Sequence, residues 1–151
     1  MRAQAAAEFA FIAPVAMIVL VVAVQFAVVG RDAIYLGQIT YQAARWATSQ
    51  NPSAQCSDIT TFMTSEAAPA IRAIINKSGI ACGDPSKGVN VTLSCPVTPS
   101  ACTAGTTRPF GTQVQITVAL NVANDTFLPN PFLGIPLPQT LNSTQTAFTN
   151  S

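Results

Sequence analysis

Residues Glu8 to Gly30 read E-F-A-F-I-A-P-V-A-M-I-V-L-V-V-A-V-Q-F-A-V-V-G: one carboxylate, then 22 residues without a charge. A bilayer core of about 30 Å needs roughly 20 apolar residues as helix, so the run is long enough to span one. An ionised Glu8 at its edge is unfavourable in hydrocarbon unless a cation meets it, because a charge at the bilayer centre costs at least about 2.5 to 3.5 kcal/mol. A plain anchor has no use for it. A helix that leaves the membrane and docks against a neighbour's N-terminal amine does. A secretory signal fits less well, since its apolar region of about 7 to 15 residues ends at a small-residue cleavage site, whereas this run continues into more helix. Arg2 and the amino group, set against Arg31 with Asp32 beside it, orient the N-terminus towards the cytoplasm.

Past Gly30 the helix is expected to continue with changed character. Leu36, Ile39, Ala43 and Ala47 recur at three- and four-residue steps, while Tyr35, Gln38, Gln42, Arg45 and Ser49 form the opposite, polar stripe. One helix therefore changes solvent along its length, and from Ala5 to Thr48 it would extend on the order of 65 Å. Pro14 removes a backbone donor and is expected to kink the helix or loosen one turn, with Gly30 and Gly37 as further soft points. The aromatics Phe9, Phe11, Phe26, Tyr35, Tyr41 and Trp46 along this helix read as packing residues and not as an electron path.

The chain then divides into residues 1–50, the hydrophobic-to-amphipathic helix, and residues 51–151, a small head. After a loop at Asn51-Pro52, Ser57 or Asp58 can cap one further helix in which Ile59, Phe62, Met63, Ala70, Ile71, Ile74 and Ile75 keep helical spacing across Pro69. Asn76 to Gly79 supplies the stop. Val89, Val91, Leu93 and Cys95 alternate, as do Val114, Ile116, Val118, Leu120 and Val122, which predicts two half-buried strands. The stretch T-F-L-P-N-P-F-L-G-I-P-L-P has no period and reads as a surface loop with extended polyproline-like pieces. Gln139 to Thr149 can close a short antiparallel β-sheet. The expected fold class is α+β.

Cys56, Cys82, Cys95 and Cys102 all follow the apolar run, and an even count confined to the exported part reads as two disulfides in an oxidising compartment. Three connectivities are open, and sequence proximity favours Cys56 with Cys82 and Cys95 with Cys102. A metal site is disfavoured because the chain has neither His nor C-x-x-C spacing. Enzymatic chemistry lacks an inventory: Glu8, Asp32, Asp58, Glu66, Asp84 and Asp125 are widely separated, and no glycine-rich phosphate loop exists. No cofactor is expected. Charged residues are only 9% of the chain and the net charge is +1 with no basic cluster, so nothing offers the phosphate-neutralising patch of a nucleic-acid binder. Sequons at Asn76, Asn90, Asn124 and Asn142 suit a surface rich in Thr and Asn.

E-F-A-F-I-A-P at Glu8 to Pro14 resembles the E-F-A-x-x-x-P signature of TadE-like proteins, the pilin-related subunits of Tad-class type IV pili. Ala43-Ala44-Arg45-Trp46-Ala47 is similar to the A-A-R-x-x-A stretch that ends their N-terminal helix. The resemblance implies a precursor held in the inner membrane, trimmed a few residues before the glutamate, then packed helix to helix in a cell-surface filament that can serve adhesion. Counting back from Glu8 puts the mature start at Gln4, although the family commonly has Gly where this chain has Ala3. The implied partners are further copies of the chain and the pilus assembly machinery, with Glu8, Phe9 and Pro14 as assembly residues. The alternatives are a minor pseudopilin that primes assembly at the inner membrane, and a single-pass membrane-anchored periplasmic binding module.

Overall fold

The computed structural model describes residues 2–103, 106–122 and 138–150, and side chains from Phe9 onward; the Phe- and Pro-rich loop expected between the last two strands lies outside the described residues. A helix α1 (Arg2–Ser49) is followed by α2 (Cys56–Glu66), α3 (Pro69–Ser78), β1 (Ile80–Cys82), β2 (Val89–Ser94), a 3-10 turn at Pro99–Cys102, β3 (Gln113–Asn121) and β4 (Thr140–Phe148). The fold is α+β. At 48 residues α1 is about 72 Å long. It runs through Pro14 without a break, although the missing N–H leaves the Ala10 carbonyl without its helical partner.

The sheet has the order β1-β2-β3-β4. β3 pairs antiparallel with β2 from Val91↔Val118 outward and with β4 over its whole length, from Gln113↔Phe148 to Asn121↔Thr140. The alternation read in the sequence sends Val114, Ile116, Val118 and Leu120 inward, where all four are fully buried with Val89 and Val91. The outer face carries Thr92, Thr117 and Thr144 in one row, with the Thr117 and Thr144 hydroxyls 3.0 Å apart. Against the inner face lie the helices. Leu36, Ile39, Ala43, Ala44 and Ala47 of α1 are buried against β3 and β4, and the alanines let the helix axis approach the sheet closely. Thr40 and Thr48 are buried on the same stripe, each hydroxyl donating to a carbonyl of its own helix, Leu36 O at 2.7 Å and Ala44 O at 2.9 Å. The division at residue 50 is thus one of sequence. In space, the last third of α1 belongs to the head's core.

Three details differ from expectation. The helical pattern across Pro69 is two helices, not one: Ala67 and Ala68 are extended, because a residue before proline is pushed out of the α region and Pro69 starts α3 at its first position. The cap of α2 is Gln55, not Ser57 or Asp58; the Gln55 N–H donates to the Asp58 carboxylate at 2.9 Å, so Asp58 closes the first turn from three residues in. The sheet is mixed, not antiparallel, since β1 runs parallel to β2 with Ile80↔Val89 and Cys82↔Val91 in register. Parallel neighbours ordinarily need a long crossover. Here the strand is only three residues, and the chain returns through Gly88, where a Cβ would stand 2.3 Å from that of Ser78.

Both disulfides pair as sequence proximity favoured. Cys56–Cys82 ties the start of α2 to β1, with Cα atoms 5.9 Å apart, and Cys95–Cys102 closes the loop after β2 at 5.6 Å. No cysteine is free. Trp46 stacks on Phe62 with ring centroids 4.9 Å apart, joining α1 to α2 as an ordinary packing pair.

Candidate functional site

The feature that asks for a partner is the N-terminal half of α1. From Phe9 to Val24 no residue is buried: Phe9 is 72% exposed and Phe11 81%, and Ile12, Val15, Met17, Val19 and Leu20 point to different sides of the helix with more than half their surface free. Leaving this much apolar surface in water opposes the hydrophobic effect at about 25 cal/mol per Å². One helix of the chain is thus long and apolar enough to cross a membrane. The buried stripe of α1 starts at Gln25 and passes through Asp32 to Leu36, so the fully exposed segment ends earlier than Gly30. The first charges after it form a local pair: the Arg31 guanidinium donates twice to one Asp32 oxygen, at 2.9 and 3.0 Å. Arg31 is half exposed while Asp32 is buried, which puts the carboxylate on the head side and the cation outside.

Of the expected assembly residues, Phe9 and Pro14 are exposed on this segment, one and a half turns apart. Glu8 is in α1 by its backbone, and its side chain lies outside the described residues. Gly30 and Gly37, read as soft points, sit in unbroken helix, and a Cβ at either would meet nothing within 4 Å. No contact among the described residues explains them. Ala27, Gly30 and Ile34 line a shallow groove on the same side of the helix.

The head holds a second feature that sequence reasoning missed. Arg108, in the loop before β3, is 3% exposed, and no carboxylate meets it among the described residues. Its guanidinium donates to the carbonyls of Ala47, Pro52 and Ala54, while its N–H donates to Pro52 O at 3.2 Å. A cation on the last turn of α1 satisfies carbonyls that the helix leaves open and favours the negative end of its dipole. Desolvation pulls the guanidinium below its ordinary pKa, yet an arginine keeps its proton in proteins. Nothing in T-T-R-P-F-G marked Arg108 as internal, because its partners are carbonyls, which every residue has.

Asp84 is held by its own turn. It accepts from the Ser86 hydroxyl at 2.6 Å and the Ser86 N–H at 2.9 Å, and these bonds hold its carboxyl below the usual range at a surface turn. Among the described residues no three of His, Cys, Asp and Glu are placed to hold a metal ion.

No family model, curated protein or solved structure matches the chain at a significant level. The likeness to TadE-like proteins therefore rests on the sequence alone, chiefly on Glu8–Pro14 and Ala43–Ala47, and on the order of a strong strand, a Phe- and Pro-rich stretch and a last polar strand towards the C-terminus.

Proposed function

We propose that the chain is a structural subunit of an extracellular type IV-like pilus filament, not an enzyme, with the helices bundled as the filament core and the disulfide-stapled head coating it. The observation that carries this reading is the contrast within α1: the head completes its core with Leu36 to Thr48, and the segment Phe9–Val24 presents exposed apolar side chains on every side with nothing among the described residues to cover them. A bilayer satisfies such a surface before assembly, and neighbouring copies satisfy it afterwards. Ala10, Ala13, Ala16 and Ala23 permit close approach of helices. Glu8 favours bundling over simple anchorage. A neighbour's amino terminus neutralises it and fixes axial register, which adds specificity more than stability because desolvating both charges costs several kcal/mol. On this reading the precursor resides in the inner membrane, and the partners are further copies and the assembly machinery.

A cysteine at Val19 tests it. Inter-subunit disulfides should form in sheared surface fibres and not in the membrane precursor, and Glu8→Gln should lower fibre yield while leaving the chain inserted with both native disulfides. Wild-type fibre yield in Glu8→Gln, or fibres in which Val19→Cys never cross-links, would leave a membrane-anchored binding module as the better account.

A further inference from the structure

At the end of the head furthest from the apolar segment, three large apolar side chains stand in solvent: Val97, 71% exposed, Phe110, 77%, and Phe148, 57%. They line one open groove of about 700 Å³, within the range of small-ligand sites. Its place follows from the hydrogen bond of the Asn150 N–H to Thr48 O, which sets the end of β4 beside the last turn of α1. These side chains are surplus to the core, which is complete without them.

The walls are fixed. Phe110 occupies the tip of a four-residue turn in which the Thr112 N–H donates to Pro109 O at 3.1 Å and Gly111 takes φ +76°, a conformation that glycine supplies without strain. The Thr149 hydroxyl accepts from the Thr112 N–H at 2.9 Å and donates to Pro109 O, tying the turn to the end of β4. Arg108 anchors its other side, and the Cys95–Cys102 disulfide closes the loop that carries Val97. An exposed aromatic held on a turn pinned this way is preorganised, so little ordering entropy remains to oppose binding.

The lining selects the ligand's chemistry. Among the described residues no ionisable side chain lines the groove, and its apolar groups share the lining with Thr98, Ser100 and Thr107. Gln113 lies directly opposite Phe148 in the strand register, so an amide with two donors and an acceptor borders an aromatic face. An apolar peptide could meet those hydroxyls and that amide only through its backbone, with no polar side groups around the ring-sized aromatic faces, and an anion or cation would find no counter-charge among the described residues. A sugar ring offers a C–H face for the aromatics and a rim of neutral hydroxyls for the polar groups. We propose that this distal groove, formed by Val97, Phe110, Phe148 and Gln113, binds a neutral oligosaccharide.

The test uses the full chain in detergent as single subunits, so its outcome is independent of filament formation. Cellohexaose, maltohexaose and N-acetylchitohexaose are titrated against protein labelled at phenylalanine and followed by NMR, with an oligogalacturonate of equal length as the acidic control. At least one neutral hexamer should shift the Phe110 and Phe148 ring signals. Phe110→Ala and Gln113→Ala should each weaken that binding about tenfold or more, while Leu20→Ala leaves it unchanged. Resistance of all four cysteines to alkylation checks that each variant is folded. No shift with any neutral hexamer at about 10 mM, or equal binding of the oligogalacturonate, overturns the proposal. So does a photo-cross-linker at Phe110 that joins two copies of the chain in fibres, because the groove is then a subunit contact.

Discussion

The two halves of α1 are one continuous helix with opposite debts to their surroundings. From Leu36 to Thr48 a stripe at three- and four-residue spacing is buried against β3 and β4, and even its hydroxyls are satisfied within the helix. From Phe9 to Val24 no residue is buried, and exposed apolar side chains point to every side of the helix. The C-terminal half is held by packing that the chain itself supplies. The N-terminal half depends on a medium or on other copies for everything beyond its backbone hydrogen bonds. Substitutions should therefore separate cleanly: those in the head change folding and leave membrane insertion alone, and those in Phe9–Val24 do the reverse.

The largest effect is expected at Arg108. Arg108→Met keeps the aliphatic stem but strips the buried Ala47 and Ala54 carbonyls of a charged donor, Pro52 O keeping the backbone N–H of residue 108, and the head should lose about 4 kcal/mol, with each orphaned group contributing roughly 1 to 3. Denaturant unfolding in detergent micelles measures this, and an unchanged midpoint would mean that water replaces the guanidinium without loss. Next come the disulfides. Loop-closure entropy gives about 3.5 kcal/mol for Cys56–Cys82, 26 residues apart, against about 2.5 for Cys95–Cys102, 7 apart. Paired Cys→Ser variants should rank in that order, and neither should alter the fraction of chain in the membrane.

The contrast within α1 was legible in the sequence because both signals are long: 22 uncharged residues need no partner to be noticed, and the stripe from Leu36 to Ala47 repeats over three turns. β2 and β3 were legible through their alternation, whereas β4 carries few apolar residues and gave only a faint signal, and the end of α3 was marked by Gly79. What escaped was short or generic. β1 has three residues, fewer than two periods of alternation, and its parallel pairing depends on a backbone return at Gly88 that side-chain pattern does not encode. The break between α2 and α3 had a visible cause in Pro69, but the apolar spacing continues in phase across it and overrode that signal. At the candidate site, the apolar segment and its mouth at Glu8 could be read directly, whereas the internal role of Arg108 and the clustering of Val97, Phe110 and Phe148 required tertiary structure to bring distant loops together.

A matched pair of leucines sharpens the comparison. Leu36 is 1% exposed and Leu20 is largely free, so Leu36→Ala should cost the head about 3 kcal/mol and Leu20→Ala nothing measurable. Equal losses in single chains would show that the apolar segment folds back on the head in detergent.

The smallest effect is expected at Gly30, which lies where the two halves meet. A glycine inside a helix is worse than alanine by about 1 kcal/mol, so Gly30→Ala should stabilise α1 slightly in the single subunit. Because a Cβ there meets nothing within 4 Å, even Gly30→Leu should leave the unfolding midpoint of the head within a few tenths of a kcal/mol. The glycine is therefore unexplained by the chain's own packing, and an interface between helices is the setting in which a missing side chain matters, since it lets backbones approach. In the filament reading, Gly30→Leu lowers fibre yield while Gly30→Ala largely preserves it, and both variants insert normally. If Gly30→Leu instead unfolds the head, the boundary between self-sufficient and dependent halves lies further towards the N-terminus than Gly30, and the stripe that begins at Gln25 carries more of the fold than the exposed side of the helix indicates.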